Sequence, residues 1–270
     1  MERTPPQSRK LEVEDKYPSL RKWVDRLIGL FCLEFKIDGD PEKIRKLVEQ
    51  GNNPVIVSSH FSNLDAPAAV KAFEGFQLQI TRESLHFQDP LQKLTFSLAG
   101  RMNFSPLTYK EKGRPVFNPD DFNNLISVLR DNGRIPWFAI HPFTTEGKMK
   151  KASIGPIYLA HKLEGIIVPV ALELSGGGSI SLEGPKEWWK GLKRKAKAVY
   201  HIGSPMELQP IEGLDIVEIV LNKRMAGEKI SKEELEDFRL VISQLREQAN
   251  SVALKIASML PENQRGGYTK

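Results

Sequence analysis

A histidine and an aspartate five positions apart, His60 and Asp65, are the residues of this chain best suited to proton-transfer chemistry. A neutral imidazole can remove a proton from a hydroxyl group, and a carboxylate can fix the tautomer of the imidazole and stabilise the imidazolium that forms. Five residues along one helix turn the chain through about 500°, which leaves the two side chains roughly 140° apart. A continuous helix therefore cannot aim both at one point, whereas a strand-to-helix turn can.

The surrounding sequence predicts such a turn. Pro54 to Ser58 read as a short buried strand, and Asp65-Ala66-Pro67 is typical of a helix start, with a capping side chain and a proline in the first turn. His60 then lies at the carboxyl end of a strand, where open α/β sheets bind ligands. Two interpretations remain open. The pair is either a base with its orienting carboxylate, suited to acyl transfer without a covalent enzyme intermediate, or an N-cap aspartate worth about 1 kcal/mol beside a polar loop histidine.

The 53–67 segment resembles motif I of the glycerolipid acyltransferase family, which includes 1-acylglycerol-3-phosphate acyltransferases. The motif is a histidine, four residues and an aspartate after a strand rich in Val and Ile, and His60 and Asp65 match it. Three further segments resemble the family in the same order: 147–160 is similar to the region after motif III, 165–171 contains Val-Pro-Val, and 259–268 contains Leu-Pro and Arg-Gly-x-Tyr.

The resemblance implies an acyltransferase of phospholipid synthesis, with His60 as general base and Asp65 as its orienter. The implied reaction moves a fatty acyl group from acyl-CoA or acyl carrier protein to the hydroxyl of a phosphorylated glycerol lipid, with 1-acylglycerol-3-phosphate as the expected acceptor. No permanently bound cofactor is implied.

The segments that should hold the acceptor's phosphate depart from the family. Motif II normally ends in Asp-Arg and motif III usually reads Phe-Pro-Glu-Gly-Thr-Arg, but neither stands near 99–106 or 138–148. Either Pro142 aligns with the motif III proline and Phe143 replaces its glutamate, or Glu146 and Gly147 are its Glu-Gly pair before a shortened loop. The phosphate site is then rebuilt from other cations, which bind phosphate as point charges, or lost. The predicted substrate-binding residues are Ser62, Asn63, Arg101, His141, Thr144, Thr145, Glu146, Gly147, Lys148, Lys150 and Lys151.

These departures leave two alternatives to the leading interpretation. One is an acyltransferase with a different acceptor, and the other is a catalytically silent, membrane-associated lipid-binding relative. A merely solvated basic loop accounts for the lysines equally well.

The basic, tryptophan-containing segment 188–197 is suited to contact with a lipid surface. Indole rings favour the headgroup region, and each basic residue near an anionic leaflet contributes about 1 kcal/mol at best. The net charge of +5 favours anionic partners, and because no nucleic-acid-binding signature is present, an anionic membrane is expected rather than nucleic acid. The predicted membrane-contact residues are Trp188, Trp189, Lys190, Lys193, Arg194, Lys195 and Lys197.

Composition limits the compartment and the cofactors. The single cysteine, Cys32, excludes an internal disulfide, and the five histidines lack metal-ligand spacing, so no metal is predicted. The first residues lack the apolar core of a signal peptide, and no apolar run reaches the roughly 18 residues of a membrane span. We therefore expect a cytoplasmic protein peripherally associated with the inner face of a membrane; the oligomeric state is left open.

Alternating helix and strand signals predict an α/β fold, with a mainly parallel or mixed central sheet flanked by helices. A mobile leader over 1–17 is expected to precede a single domain over 18–270, which has an N-terminal amphipathic helix near 20–31 and a long C-terminal helix near 231–259. Further helices are predicted near 40–50, 66–74, 89–99, 119–131 and 155–163, strands near 33–37, 54–58, 77–81, 135–141 and 165–173, and a hairpin turn at 175–179.

Overall fold

A mixed β-sheet with helices on both faces forms the core of the protein. The computed structural model describes residues 18–60, 62, 64–76, 78–82, 105–106, 108–111, 114–117, 126–127, 135–141, 144, 146–175 and 196–269. The strands are β1 (Cys32–Asp38), β2 (Asn53–Ser58), β3 (Leu78–Arg82), β4 (Ser105–Pro106), β5 (Thr108–Glu111), β6 (Arg114–Phe117), β7 (Ile135–Ala139), β8 (Gly165–Ser175) and β9 (Ala196–Ile202). The helices are α1 (Pro18–Phe31), α2 (Glu42–Glu49), α3 (Asp65–Ala72), α4 (Gly155–Lys162), α5 (Ile216–Ala226) and α6 (Lys232–Ser258).

The order of the strands places β2 at the centre of the sheet. Within the described residues, seven strands join in the order β1-β9-β8-β2-β7-β3-β4, while β5 and β6 form a separate antiparallel hairpin. The neighbouring pairs in the sheet are parallel except β8 and β9, which are antiparallel. Because β2 is covered on both faces, its side chains from Pro54 to Ser58 are all buried, as the apolar run in its sequence predicts.

Two apolar cores lie on opposite faces of the sheet. On one face, α1, α2 and α3 contribute side chains such as Phe31 and Ile44, which pack with Tyr200 of β9. On the other face, α4, α5 and α6 contribute side chains such as Ile157 and Leu245. This arrangement confirms the predicted α/β class with its mixed sheet, N-terminal helix and long C-terminal helix.

Local capping defines where the long helix begins. The Ser231 hydroxyl accepts a hydrogen bond from the Glu234 amide at 3.0 Å, and the Glu234 carboxylate accepts one from the Ser231 amide at 2.9 Å. This reciprocal capping box satisfies two amides that the helix itself leaves without partners. At α2, Pro41 occupies the N-cap position, and the Asp40 carboxylate before it accepts a hydrogen bond from the Glu42 amide at 2.9 Å.

Most of the predicted elements lie within two residues of the observed ones. The predictions missed α5 and the strands β4, β5, β6 and β9, and they placed the start of α3 one residue late, since Asp65 is itself helical. The leader over 1–17, the helix near 89–99 and residues 176–179 of the predicted turn lie outside the described residues, and of the 119–131 helix only the helical residues 126–127 are described. Among the described helices, none combines the length and the apolar character needed to cross a bilayer.

Candidate active site

The site begins where β2 ends. Beyond Ser58, the Ser59 amide donates to the Val170 carbonyl of β8 at 3.3 Å, and the Ile140 amide donates to the Ser58 carbonyl at 2.8 Å. These bonds continue the sheet past its last assigned residues on both sides. His60 is therefore held by the central part of the sheet as the chain turns towards α3.

His60 and Asp65 are in direct contact. The distance from His60 Nδ1 to Asp65 Oδ2 is 3.0 Å, the carboxylate is completely buried, and the imidazole side chain is 30 % exposed. An ionised carboxylate only accepts hydrogen bonds, so the proton of a neutral His60 imidazole lies on Nδ1 and Nε2 is the basic nitrogen. Such an imidazole has the form required of a general base.

Asp65 also shapes the turn that presents His60. Its Oδ2 accepts a second hydrogen bond, from the Ser62 amide at 3.0 Å, while the Ser62 hydroxyl accepts one from the Leu64 amide at 3.1 Å. This pattern is similar to a capping box, with Ser62 in the place of the N-cap and Asp65 in the place of the acidic residue three positions later. The predicted N-cap role of Asp65 is wrong, because Asp65 is itself helical and Leu64 occupies the N-cap position without a side-chain cap. The Asp65 carboxylate instead holds the turn before α3 and the imidazole through one oxygen.

Aromatic residues of the sheet surround the pair. The Trp137 ring of β7 meets the His60 ring edge-on at a centroid distance of 6.2 Å, and Trp137 is almost fully buried. Tyr200 of β9 is completely buried, and burial raises the pKa of its phenol far above its usual range; the Trp137 indole opposes this shift and the Asp65 carboxylate adds to it. The phenol therefore remains neutral beside the carboxylate. Nothing in the sequence marked these two residues, because both occupy ordinary apolar strand positions.

The chain after β7 bonds to the backbone of His60 on both sides. The His60 amide donates to Nε2 of His141 at 3.3 Å, and the Thr144 amide donates to the His60 carbonyl at 3.3 Å. His141 is buried, and because its Nε2 accepts a hydrogen bond, its proton lies on Nδ1. In this structure His141 and Thr144 support His60, and contact with a substrate remains a prediction for both.

A basic loop follows Thr144, and we call residues 146–152 the lysine loop. The Glu146 amide donates to the Thr144 hydroxyl at 3.2 Å, and the Glu146 carboxylate lies 3.8 Å from the Lys150 ammonium. Gly147 adopts a φ of +66°, which favours glycine at that position. Lys148, Lys150 and Lys151 are all exposed, so their charges are available to an anion in solution.

Of the remaining predicted residues, Lys197 alone belongs to the described part of the chain. Lys197 is exposed on β9, where its ammonium lies 3.8 Å from the Glu34 carboxylate. The other predicted residues that lie outside the described part of the chain are Asn63, Arg101, Thr145, Trp188, Trp189, Lys190, Lys193, Arg194 and Lys195. Among the described residues, no group of three or more His, Cys, Asp or Glu side chains is arranged to hold a metal ion.

Comparison with known proteins shows a distant structural likeness. No family model matches the chain, and no curated protein matches its sequence. Among solved structures, it resembles the 1-acyl-sn-glycerophosphate (LPA) acyltransferase PlsC from Thermotoga maritima, with 16 % sequence identity and a TM-score of 0.48. That likeness covers 79 % of this chain and 80 % of the other.

Proposed function

We propose that this protein is an acyltransferase that moves a fatty acyl group from acyl-CoA or acyl carrier protein to the hydroxyl of 1-acylglycerol-3-phosphate. The observation that carries the proposal is the 3.0 Å contact between His60 Nδ1 and the buried Asp65 carboxylate, with the imidazole itself partly exposed. A base needs one oriented nitrogen and an opening to its substrate, and this pair has both.

The proposed reaction uses His60 twice. Its Nε2 takes the proton of the acceptor hydroxyl while the hydroxyl oxygen forms a bond to the thioester carbonyl carbon. The tetrahedral intermediate then collapses, the carbon–sulfur bond breaks, and the imidazolium returns the proton to the leaving thiolate. Asp65 stabilises the imidazolium between the two steps, and no acyl group becomes attached to the protein.

The lysine loop is the proposed site for the acceptor's phosphate. Lys148, Lys150 and Lys151 are exposed on a loop that follows Thr144, and the Thr144 amide bonds to the His60 carbonyl. A lysine binds phosphate as a point charge rather than through a bidentate fork, so three lysines are a reasonable substitute for the arginine of the family motif. Ser62, Asn63, Arg101, Thr145 and Gly147 are proposed to complete this site.

Contact with the inner face of an anionic membrane is part of the proposal. β8 extends beyond the carboxyl end of β2, because Ser58 of β2 pairs with Val170 whereas β8 ends at Ser175. Lys197, near the start of β9, pairs with Ser175, so β9 and the neighbouring β1 begin beyond that end of β2. Leu33 at the start of β1 is 68 % exposed, and Leu30 just before it is 48 % exposed. Apolar and basic side chains therefore project at the edge of the sheet that bears His60, which supports a lipid-facing edge there.

The decisive assay is transfer of labelled acyl groups from acyl-CoA to 1-acylglycerol-3-phosphate on anionic liposomes. Replacing His60 by alanine should lower the rate by about 10²- to 10⁴-fold. His161→Ala is the matched control, because His161 Nε2 also bonds to a side-chain oxygen, that of Gln248 at 2.9 Å. His161 lies at the end of α4, next to the amino-terminal edge of β2 and β8 and therefore at the opposite edge from His60. Near-normal transfer by His60→Ala would reject the mechanism.

A different acceptor is the second candidate, and the contact between Glu146 and Lys150 favours it. That carboxylate lies 3.8 Å from the ammonium and competes with a phosphate for its charge. Charge removal at the three lysines should weaken only acceptors that carry phosphate, so a panel of acceptors with and without phosphate separates the two candidates. Liposome binding without transfer from any donor would instead indicate a silent lipid-binding relative.

A further inference from the structure

The segment 261–268 holds the lysine loop through the loop's backbone. The Met149 amide donates to the Gln264 carbonyl at 2.9 Å, and the Ala152 amide donates to the Tyr268 hydroxyl at 2.9 Å. The two amides lie on either side of Lys150 and Lys151. A segment more than a hundred residues further along the chain therefore fixes the backbone that carries the lysines.

Close packing between the two segments requires a glycine. Gly266 has a φ of +61°, and a Cβ placed there would lie 2.0 Å from the Met149 carbonyl oxygen. Real Cβ atoms do not approach backbone that closely, so any side chain at this position displaces the peptide of Met149. The adjacent Gly267 would meet nothing within 4 Å if it carried a Cβ. Only one of the two glycines is therefore required by the contact.

The holding segment is itself anchored in the fold. The Gln264 side-chain amide donates to the Leu174 carbonyl of β8 at 2.8 Å, and Gln264 is only 5 % exposed. Arg265 Nε donates to the Leu260 carbonyl at 2.8 Å. Gln264 therefore connects the Met149 amide to β8 of the central sheet through its own carbonyl and side chain.

The consequence for the loop is a fixed orientation of its charges. The Met149 side chain is buried in the apolar core that α4, α5 and α6 form with the sheet, whereas Lys148 and Lys150 on either side of it are exposed. Fixing the Met149 peptide keeps its neighbours turned to solvent before an anion arrives. A loop that is ordered in advance loses less conformational entropy on binding, so its affinity is higher for the same contacts.

We propose that Gly266 and Tyr268 are positioning residues that set the affinity of the lysine loop for the phosphate of the acceptor. This inference rests on the proposed function, since it assigns the anion to the acceptor lipid. Gly266 lies against Met149 and Tyr268 bonds to Ala152, so both should act on acceptor binding through the lysine loop and leave the proton-transfer step unchanged.

Kinetics of three variants test the proposal. Tyr268→Phe removes the oxygen that accepts from Ala152, and the loss of one hydrogen bond should raise KM for 1-acylglycerol-3-phosphate about three- to tenfold. Its kcat, its KM for acyl-CoA and its KM for a 1-acylglycerol without phosphate should change less than about twofold. Gly266→Ala should raise the same KM by more, whereas the matched Gly267→Ala should resemble the wild type. A fall in kcat with unchanged acceptor KM would overturn the proposal.

Hydrogen exchange of the Met149 and Ala152 amides provides a readout that does not need activity. Tyr268→Phe should accelerate exchange at Ala152 while exchange in the central sheet remains at its wild-type rate; unchanged exchange at Ala152 would overturn the proposal, as would faster exchange with an unchanged KM. If Gly266→Ala does not fold, Tyr268→Phe alone decides. If the wild type transfers no acyl group, the proposed function has failed, and the Kd for 1-acylglycerol-3-phosphate then tests the positioning role by itself. Weaker binding by Tyr268→Phe than by the wild type supports that role. Equal binding, or no binding by either protein, contradicts it.

Discussion

Replacing Asp65 by asparagine changes the charge behind His60 with little change in shape. Oδ2 of Asp65 accepts from both the His60 imidazole and the Ser62 amide, each at 3.0 Å. An asparagine whose oxygen occupies that place keeps both hydrogen bonds and loses only the negative charge. The variant therefore tests the electrostatic part of the proposed mechanism, and it leaves the turn before α3 in place.

The size of the effect follows from the contact. Once the proton has moved, the imidazolium and the carboxylate are opposite charges about 4 Å apart, which attract by about 4 kcal/mol at an effective dielectric constant of about 20. Because the His60 side chain is 30 % exposed, solvent screening reduces this to roughly 2–4 kcal/mol. That interaction is absent in the neutral ground state, so its loss raises the barrier and should lower kcat about 30- to 900-fold. An asparagine flipped to donate towards Nδ1 would place the proton on Nε2 and lower kcat further.

The assay compares steady-state acyl transfer by wild type and Asp65→Asn, together with the thermal unfolding of both. Asp40→Asn is the matched control, because it makes the same chemical change at the start of α2, where Asp40 bonds the Glu42 amide, and asparagine caps a helix as well as aspartate does. The control should retain full activity. An Asp65→Asn protein that is folded and within about threefold of the wild-type kcat would refute the assignment of Asp65 as the partner of the base.

Three further predictions concern the scaffold. Gly165→Ala should lower the free energy of unfolding by about 1–3 kcal/mol in denaturant titrations, since its Cβ would lie 2.8 Å from two atoms of β2. Gly155→Ala is its control and should change the free energy of unfolding by at most about 0.5 kcal/mol, since the nearest atom to its Cβ would be 3.7 Å away. Ser231→Ala should cost about 1 kcal/mol through the lost cap of α6 and leave transfer activity unchanged. Burial lowers the pKa of the His161 imidazole in the folded protein. As the pH falls below about 6.5, the imidazole is therefore protonated in the unfolded chain before it is protonated in the folded one. Thermal stability should therefore decline below that pH until the lowered pKa is passed, and His161→Gln should decline less.

Local sequence patterns predicted the elements but not how distant ones meet. The helices and strands near the site follow from apolar periodicity and from helix-start signals such as Asp65-Ala66-Pro67, which act within a few residues. The pairing of β1 with β9 joins residues more than 160 positions apart, for example Cys32 with Ala196, and no nearby residue encodes it. For the same reason the contact between Gly266 and Met149 could not be predicted, although Gly266 lies in a segment that resembles the acyltransferase family.

The site itself shows the same division between local and distant information. The spacing of His60 and Asp65 was sufficient to predict a turn that brings them together, because the turn, the cap and the contact lie within six residues. It could not indicate the Trp137 ring that meets His60 edge-on, or the buried Tyr200 behind it, since their sequence positions are ordinary for apolar strands. The sequence also left Asp65 with an alternative role as the N-cap of α3, but the structure places Asp65 inside the helix, where one carboxylate oxygen accepts from His60 and from the Ser62 amide.

Among the described residues, the segment after β7 bonds to His60 through one backbone amide and one side chain. Thr144 supports His60 through its backbone amide, which any residue except proline supplies. Within the described part of the chain, His141 contributes the side chain. In the proposed function, other side chains of the segment after β7 can therefore change without altering the bond between the Thr144 amide and His60. Substitutions in the lysine loop should accordingly alter which acceptor is bound, whereas substitutions at His60 and Asp65 should alter the rate for every acceptor.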